Sequence, residues 1–471
     1  MAVYNQRQYN SNAASPHRNQ SFVSRVTYNY KQKYLFEANL GITGSEQFAP
    51  EYRYGVFPSV AVGYTISQEK FWKRTMPWWS KMKLRFSWGL VGSDSSAVDF
   101  LYYSTYERTT SGYDSHYIEG VAANEGARWE TADKKDLGVE MGFLKDRLSL
   151  NVDLFDEYRY DILMNPVLTP LVGISYKNTN LGAIKKHGID IDLLWRETLH
   201  NGFFYSLGVL VGLNENRIVQ YADIPYDPDY KKVTGTPAKS QTSGSTLVDD
   251  KYFQTINEIH GYPAYTSSWV SLVPGSYKFM DYLPDGVIAN DDLHVIRGTA
   301  YPPCTYSLNL SLGYKGFTFR VVGTGTIGKY AQFKRAYIIP FYGGRFKVHQ
   351  AQLDYWSPTN RDAASPALTQ SELSYAWAGG KSTFPGYDLA LPDYTWRNSD
   401  YFNISELHLG YTFNGRNLQS LLGIDGLTIS VTANNLYMFT SLIEGNPQDS
   451  STSSTYYPLM RTVKLGVNIN F

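Results

Sequence analysis

The chain holds one cysteine, Cys304, among 471 residues. A lone thiol cannot close an internal disulfide, and with no clustered Cys or His beside it there is no zinc site. No run of 18 apolar residues occurs, which excludes a membrane-crossing helix. Neither sign of charge is in excess, with 43 Lys and Arg against 43 Asp and Glu, so no basic surplus argues for nucleic acid. The first twenty residues, MAVYNQRQYNSNAASPHRNQ, lack the apolar central stretch of an export signal. We expect either that such a signal has been removed or that the chain is the C-terminal piece of something longer. Catalytic signatures are also missing. The eight histidines are scattered, with no H-E-x-x-H and no G-x-S-x-G, so the sequence does not read as an enzyme.

Aromatic residues, by contrast, are abundant. There are 40 Tyr, 23 Phe and 10 Trp, and Tyr and Trp favour the boundary between hydrocarbon and water, where the ring is buried and the polar atom stays wet. The last nine residues alternate throughout. Val463, Leu465, Val467, Ile469 and Phe471 are apolar, while Lys464, Gly466, Asn468 and Asn470 are polar or small. A strand points successive side chains to opposite faces, so this ribbon is greasy on one side and wet on the other. A tilted strand crosses a bilayer in about nine to eleven residues.

Similar ribbons recur. Tyr306, Leu308, Leu310, Leu312 and Tyr314 oppose Ser307, Asn309, Ser311 and Gly313. The two tyrosines stand eight positions apart, about 27 Å along a strand, close to the spacing of two interfacial girdles after tilting. Tyr34, Phe36, Ala38, Leu40 and Ile42 repeat the pattern, as do Leu148, Val152, Leu154 and Tyr158. Phe203, Tyr205, Leu207, Val209, Val211 and Leu213 form the longest stripe. The pattern predicts about thirteen strands, near 21–31, 33–44, 55–66, 81–92, 128–143, 147–161, 182–196, 203–214, 304–314, 317–328, 400–413, 426–437 and 460–471. Tight connections (Lys31–Lys33, Leu144–Asp146, Glu197–Gly202, Lys315–Gly316) alternate with long ones (92–127, 215–303, 329–399), as in transmembrane barrels with short periplasmic turns and long external loops. The fold class expected is all-β, an antiparallel transmembrane β-barrel segment. Thirteen is odd, so the first and last strands would run parallel, and we expect further strands upstream.

Gly323-Thr324-Gly325-Thr326-Ile327-Gly328 matches the dinucleotide fingerprint G-x-G-x-x-G in form only. No helical stripe follows, and the nearest acid, Asp354, is too distant. We read it as strand glycines on a lumen face. The acids Asp153, Glu157, Asp190 and Asp192 alternate with apolar residues and read as the lining of a polar interior. Loop tyrosines Tyr221, Tyr226, Tyr230, Tyr262, Tyr265 and Tyr301 could stack on sugar rings, grip a peptide or pack the loops together.

At this point the sequence resembles a known family, the SusC/RagA-type TonB-dependent transporters. The resemblance lies in Ser21–Ser67, in KLRFSWGLVGSD (Lys83–Asp94), in RWETADKKDLGVEMGFLKDRLSLNVDLFDEYRYDIL (Arg128–Leu163) and in NTNLGAIKKHGIDIDL (Asn178–Leu193). It continues in YWSPTN (Tyr355–Asn360), ELHLGYTF (Glu406–Phe413), TANNLYMFT (Thr432–Thr440) and the closing RTVKLGVNINF. It implies that residues 1–471 are the C-terminal part of a 22-stranded barrel, with the signal peptide, the plug domain and the early strands absent. It implies import of glycans or peptides across the outer membrane of a Gram-negative bacterium, a SusD-like surface lipoprotein as lid, TonB acting through the absent plug, and outer-membrane lipid around the belt. A passive porin-like pore and a secreted all-β glycan-binding protein are the alternatives. The family has a D-x-N-x-D-G segment in an external loop, and Asp281, Asp285 and Asp292 stand at calcium-ligand spacing around Gly286. Leu283 and Ala289 occupy two positions where oxygens are expected. The resemblance also makes the terminal strand, Val463, Leu465, Val467, Ile469 and Phe471, an assembly signal. Deleting Phe471 from the full-length protein should then lower the yield of heat-modifiable folded barrel on gels, and an unchanged yield would refute the assignment.

Overall fold

The computed structural model describes the chain apart from residues 10–16, 96–99, 112–113, 169–170, 172, 174, 239–247, 266–271, 289–291, 293–298, 333–352, 365–366, 368–395, 414–423, 443–445, 449–458 and 471. Two units are distinguished. The first comprises 1–226, 233–238 and 306–315, and the second 227–232, 239–305 and 316–471.

The first unit is a sheet whose strands follow one another in chain order. They are β1 (Ala2–Tyr9), β2 (His17–Tyr30), β3 (Tyr34–Ser45), β4 (Tyr54–Thr65), β5 (Trp79–Ser93), β6 (Glu130–Phe143), β7 (Leu148–Met164), β8 (Thr179–Thr198), β9 (Phe204–Gln220) and β10 (Cys304–Tyr314). A short helix, α1 (Lys70–Thr75), lies between β4 and β5. The second unit holds β11 (Phe317–Ile327), β12 (Tyr401–Phe413), β13 (Gly426–Thr440) and β14 (Thr462–Asn470), with β12 paired to β11 and β13, and β13 to β14. Every strand pair of these two sheets whose register is described is antiparallel.

The thirteen expected strands all form, most within about three residues of their predicted bounds. The addition is β1, whose sequence AVYNQRQY is too polar to stand out by alternation. Among the described residues the two units hold ten and four of these long strands, against the thirteen expected. No described helix is long and apolar enough to cross a membrane, and such a search does not address strands.

Register turns the alternation into a belt. Across β6, β7, β8 and β9 the residues facing one way align in rungs: Leu137, Leu154, Ile189 and Leu213; then Val139, Val152, Ile191 and Val211; then Met141, Leu150, Leu193 and Val209. The next rung toward the long connections is charged throughout, with Lys135, Asp156, His187 and Glu215. Apolar rungs ending together on a polar one is what a hydrocarbon boundary imposes. The belt is uncovered, as Phe86 (44%), Leu137 (45%) and Leu154 (47%) show on three successive strands.

The opposite face is polar and tied by ion pairs. Arg85 of β5 reaches Asp153 at 2.5 Å, Glu140 at 3.4 Å and Asp136 at 3.7 Å. Glu140 also takes Lys81 at 2.8 Å and Lys83 at 3.0 Å. Gly138 makes room for this. A Cβ there would sit 2.5 Å from both Arg85 Nε and Asp153 Oδ1. The tight turns adopt left-handed backbone at Lys31, Gln32, Leu144, Lys145, Asp146, Lys315 and Gly316. Gly316 supplies that conformation without steric cost. We expect Gly138→Val to lower stability by about 1–3 kcal/mol through displacement of the Arg85 pair, read as a fall in denaturant midpoint. Gly202→Val, where no atom lies near the added Cβ but φ is +82°, should act through backbone strain and leave that pair intact.

Candidate functional site

Three places gather the polar and aromatic side chains on which a solute could act. They are the polar face just described, and the external ends of each unit, where long connections fold onto themselves.

In the first unit a small core forms beyond the strand ends. Phe48, Leu101, Ala127, Trp129 and Leu163 are buried together, with Phe57 against them. The Trp129 ring lies 5.3 Å from Phe48 and 5.6 Å from Phe57, and its Nε1–H donates to Arg53 O at 3.0 Å. The neighbours of Trp129 have tasks of their own. Arg128 donates two hydrogen bonds to Asp161, at 2.9 and 2.8 Å, which keep its guanidinium more firmly charged. The buried Glu130 carboxylate accepts from the Leu163 N–H at 3.0 Å. The quoted RWE therefore serves as a clasp between connections. Beside it Phe100 carries a φ of +45°, strained for a bulky residue. Lys177 Nζ and Gln47 Oε1 pin its carbonyl and amide, at 2.9 and 3.2 Å. Its ring meets Tyr102 and Tyr103, and burial raises the Tyr102 hydroxyl pKa.

In the second unit the connection after β9 builds a second core. Phe253 and Ile288 are fully buried, and Tyr252, Phe279 and Trp356 nearly so. Trp356 of the YWSPTN segment donates its Nε1–H to Gln254 Oε1 at 3.0 Å. The rest of that segment closes a turn. Asn360 Nδ2 donates to Asp354 Oδ1 at 2.8 Å, the Ala364 N–H to Asp354 Oδ2 at 3.1 Å, and the Asn360 N–H to Ser357 Oγ at 3.1 Å. A short helix, α2 (Ile256–His260), starts at Thr255, whose hydroxyl accepts from the Glu258 N–H.

The expected residues distribute as follows. Asp153 and Asp190 face one another in register, as do Asn151 and Asp192, on the polar face. Tyr262 is packed, with its hydroxyl on Phe279 O at 2.7 Å, its ring 5.2 Å from Phe253 and Lys278 above it at 5.1 Å. Tyr230 packs on Tyr282 at 4.6 Å. Tyr221, Tyr226 and Tyr301 are exposed, and the Tyr265 side chain lies outside the described residues. The Gly323 motif lies on β11 and just past its end, the described residues that follow form a short strand (Tyr330–Gln332), and a side chain at Gly323 would meet the Phe402 ring. Asp281, Asp285 and Asp292 act as turn acceptors for the N–H groups of Gly286, Val287 and Leu283, at 2.9, 2.8 and 2.9 Å. No group of three or more His, Cys, Asp or Glu arranged to hold a metal occurs among the described residues. Val463, Leu465, Val467 and Ile469 pair with Ala433, Val431, Ile429 and Leu427, while Phe471 lies outside the described residues. The reading of the sequence missed both loop cores. Their signal was Trp129 and Trp356 inside otherwise polar loop segments.

No family model matches the sequence. The curated "TonB-dependent receptor P39" of Formosa agariphila is 22% identical over 525 residues, spanning 99% of this chain and 48% of its own length. The "TonB-dependent receptor SusC" of Bacteroides thetaiotaomicron is 24% identical over 466 residues, spanning 96% of this chain and 43% of its own. A solved structure of the RagAB peptide transporter superposes with a TM-score of 0.72 at 17% identity, over 97% of this chain and 48% of that one. The fold is like that of RagAB, and the sequence is similar to TonB-dependent receptors including SusC. The chain spans about half the length of the curated relatives it matches. Within this SusC/RagA-like fold, the loop cores are the places where one side chain fixes a whole excursion.

Asp354 gives that fixation a pH dependence. The Asn360 amide, and then the Ala364 N–H, hold its carboxyl below the usual carboxylate range. A depressed folded-state pKa contributes stability that is present above the unfolded value and lost as pH falls through the folded one. Protease cleavage of the 354–364 turn should therefore accelerate on acidification below the ordinary aspartate range. Asp354→Asn should show fast cleavage at every pH. A wild-type rate independent of pH would refute the role.

Proposed function

We propose that this chain is the C-terminal barrel portion of a TonB-dependent outer-membrane importer of glycans or peptides. The observation that carries it is the two-faced sheet, with aligned apolar rungs on one side and an Arg85-centred ion network on the other, in a chain that follows TonB-dependent receptors from end to end. Such a sheet is stable with hydrocarbon on one face and water on the other. The reading places the chain in the outer membrane of a Gram-negative bacterium. The strands supply the belt and the hydrophilic wall, and the two loop cores shape the external binding cavity. A SusD-like surface lipoprotein would close that cavity, and TonB would act through an N-terminal plug. The reading assigns no catalysis, and the curated relatives are named as receptors. Calcium at Asp281, Asp285 and Asp292 would compete with the three backbone N–H groups those carboxylates already hold. A secreted glycan-binding protein would need the apolar rungs covered, whereas Leu137, Leu154 and Leu213 of one rung are exposed.

The test is purification of the full-length protein from its native host. We expect extraction to require detergent, a surface lipoprotein to co-purify, and gene disruption to abolish growth on one glycan or one peptide source. A detergent-free, soluble monomer would overturn the membrane reading. Which nutrient fails to support growth names the cargo class.

A further inference from the structure

The turns at one end of the first unit carry a charge that nothing above uses. Three connections meet there: Lys31–Lys33 between β2 and β3, 66–78 between β4 and β5, and 144–147 between β6 and β7. The Thr65 N–H donates to Lys33 O at 2.8 Å and the Leu144 N–H to Trp78 O at 2.8 Å, so the three are contiguous. They contain seven basic residues (Lys31, Lys33, Lys70, Lys73, Arg74, Lys145, Arg147) and two acidic ones (Glu69, Asp146), in a chain whose charges balance as a whole. Both acids are occupied. Glu69 accepts from Lys33 at 2.9 Å, which lowers its pKa, and Asp146 accepts from Ser80 Oγ at 2.7 Å. Lys31, Lys70, Arg74 and Lys145 make no ion pair among the described residues.

Apolar side chains stand among these cations, exposed and held in place. Trp72 of α1 is buried, with its Nε1–H on Trp79 O at 3.0 Å. Its neighbour Phe71 is 58% exposed and Trp78 55%, with Met76 and Leu144 also exposed. Trp78 is fixed by Phe143 at 6.0 Å and Trp79 at 5.9 Å. Packed rings beside cations that no carboxylate neutralises, Lys31 among them over the Tyr30 ring at 5.2 Å, match the chemistry of a lipid interface, where the rings enter the acyl boundary and the cations meet phosphate.

We propose that this end of the first unit is a docking surface for anionic phospholipid headgroups, with Lys31, Lys70, Arg74 and Lys145 meeting phosphate and Phe71 and Trp78 seated beneath it. The proposal rests on the membrane-spanning reading, in which short turns face the periplasmic leaflet, and on the charge of these turns.

The experiment is native mass spectrometry of the detergent-purified protein, titrated with phosphatidylglycerol and separately with phosphatidylcholine. Wild type should retain phosphatidylglycerol preferentially, and the preference should fall as salt rises. The quadruple variant K31Q/K70Q/R74Q/K145Q should lose about six-hundredfold in that affinity at low salt, since each cation near an anionic surface is worth about fivefold. Lys231→Gln, in a long connection, should leave it unchanged. Trp78→Ala should weaken retention of both lipids. Equal retention of the two lipids by wild type, with normal detergent-dependent folding, would overturn this proposal alone. Displacement of phosphatidylglycerol by soluble polyglutamate at equal charge would overturn it in favour of an acidic protein partner. A protein that needs no detergent would overturn the membrane reading with it.

Discussion

The structure depends on the alternation of the pleated strand. Each ribbon has one face that water tolerates and one that it does not, and register brings the intolerant faces together into rungs. Leu137, Leu154, Ile189 and Leu213 form one such rung, and Lys135, Asp156, His187 and Glu215 mark where it must stop. A slip of one residue in any strand would send its apolar row among the ion pairs and its carboxylates into the belt. Register is therefore enforced from both faces at once, and the charged face does as much of this as the greasy one. Arg85 can reach Asp136, Glu140 and Asp153 together only in the observed alignment.

Above the strands the physics changes. The long connections carry no such alternation, and they bury apolar side chains against each other instead. Trp129 and Trp356 are the largest contributions. Each is accompanied by local hydrogen bonds that satisfy the backbone bent around it, from Glu130 and Asn180 in one case and from Gln254 and Asp354 in the other. The polar composition of these segments conceals small interiors built around single rings.

That contrast explains what could be read in advance. Alternation is a short-range property, and so Tyr306–Tyr314 and Val463–Ile469 declared themselves as strands, as did the tight turns between pairs. β1 did not, because Asn5, Gln6, Arg7 and Gln8 break the apolar row while the backbone still pairs with β2. The loop cores depend on residues distant in sequence, such as Phe48 with Leu101 and Leu163, or Gln254 with Trp356. No local period reports such a meeting. The calcium-like spacing of Asp281, Asp285 and Asp292 was visible, whereas their use as acceptors for nearby N–H groups was not, since spacing alone does not say which way a carboxylate turns. The family resemblance pointed to the right fold, and register then assigned the individual residues their places.

The YWSPTN turn has one more consequence. Because Asp354, Ser357 and Asn360 fasten it among themselves, and Trp356 and the Arg361 carbonyl both meet Gln254 of the excursion beneath, it behaves as a peg in a socket. Substitutions on the surface displayed beyond the peg should then leave the register of β11 to β14 untouched, because the turn's own hydrogen bonds keep it closed.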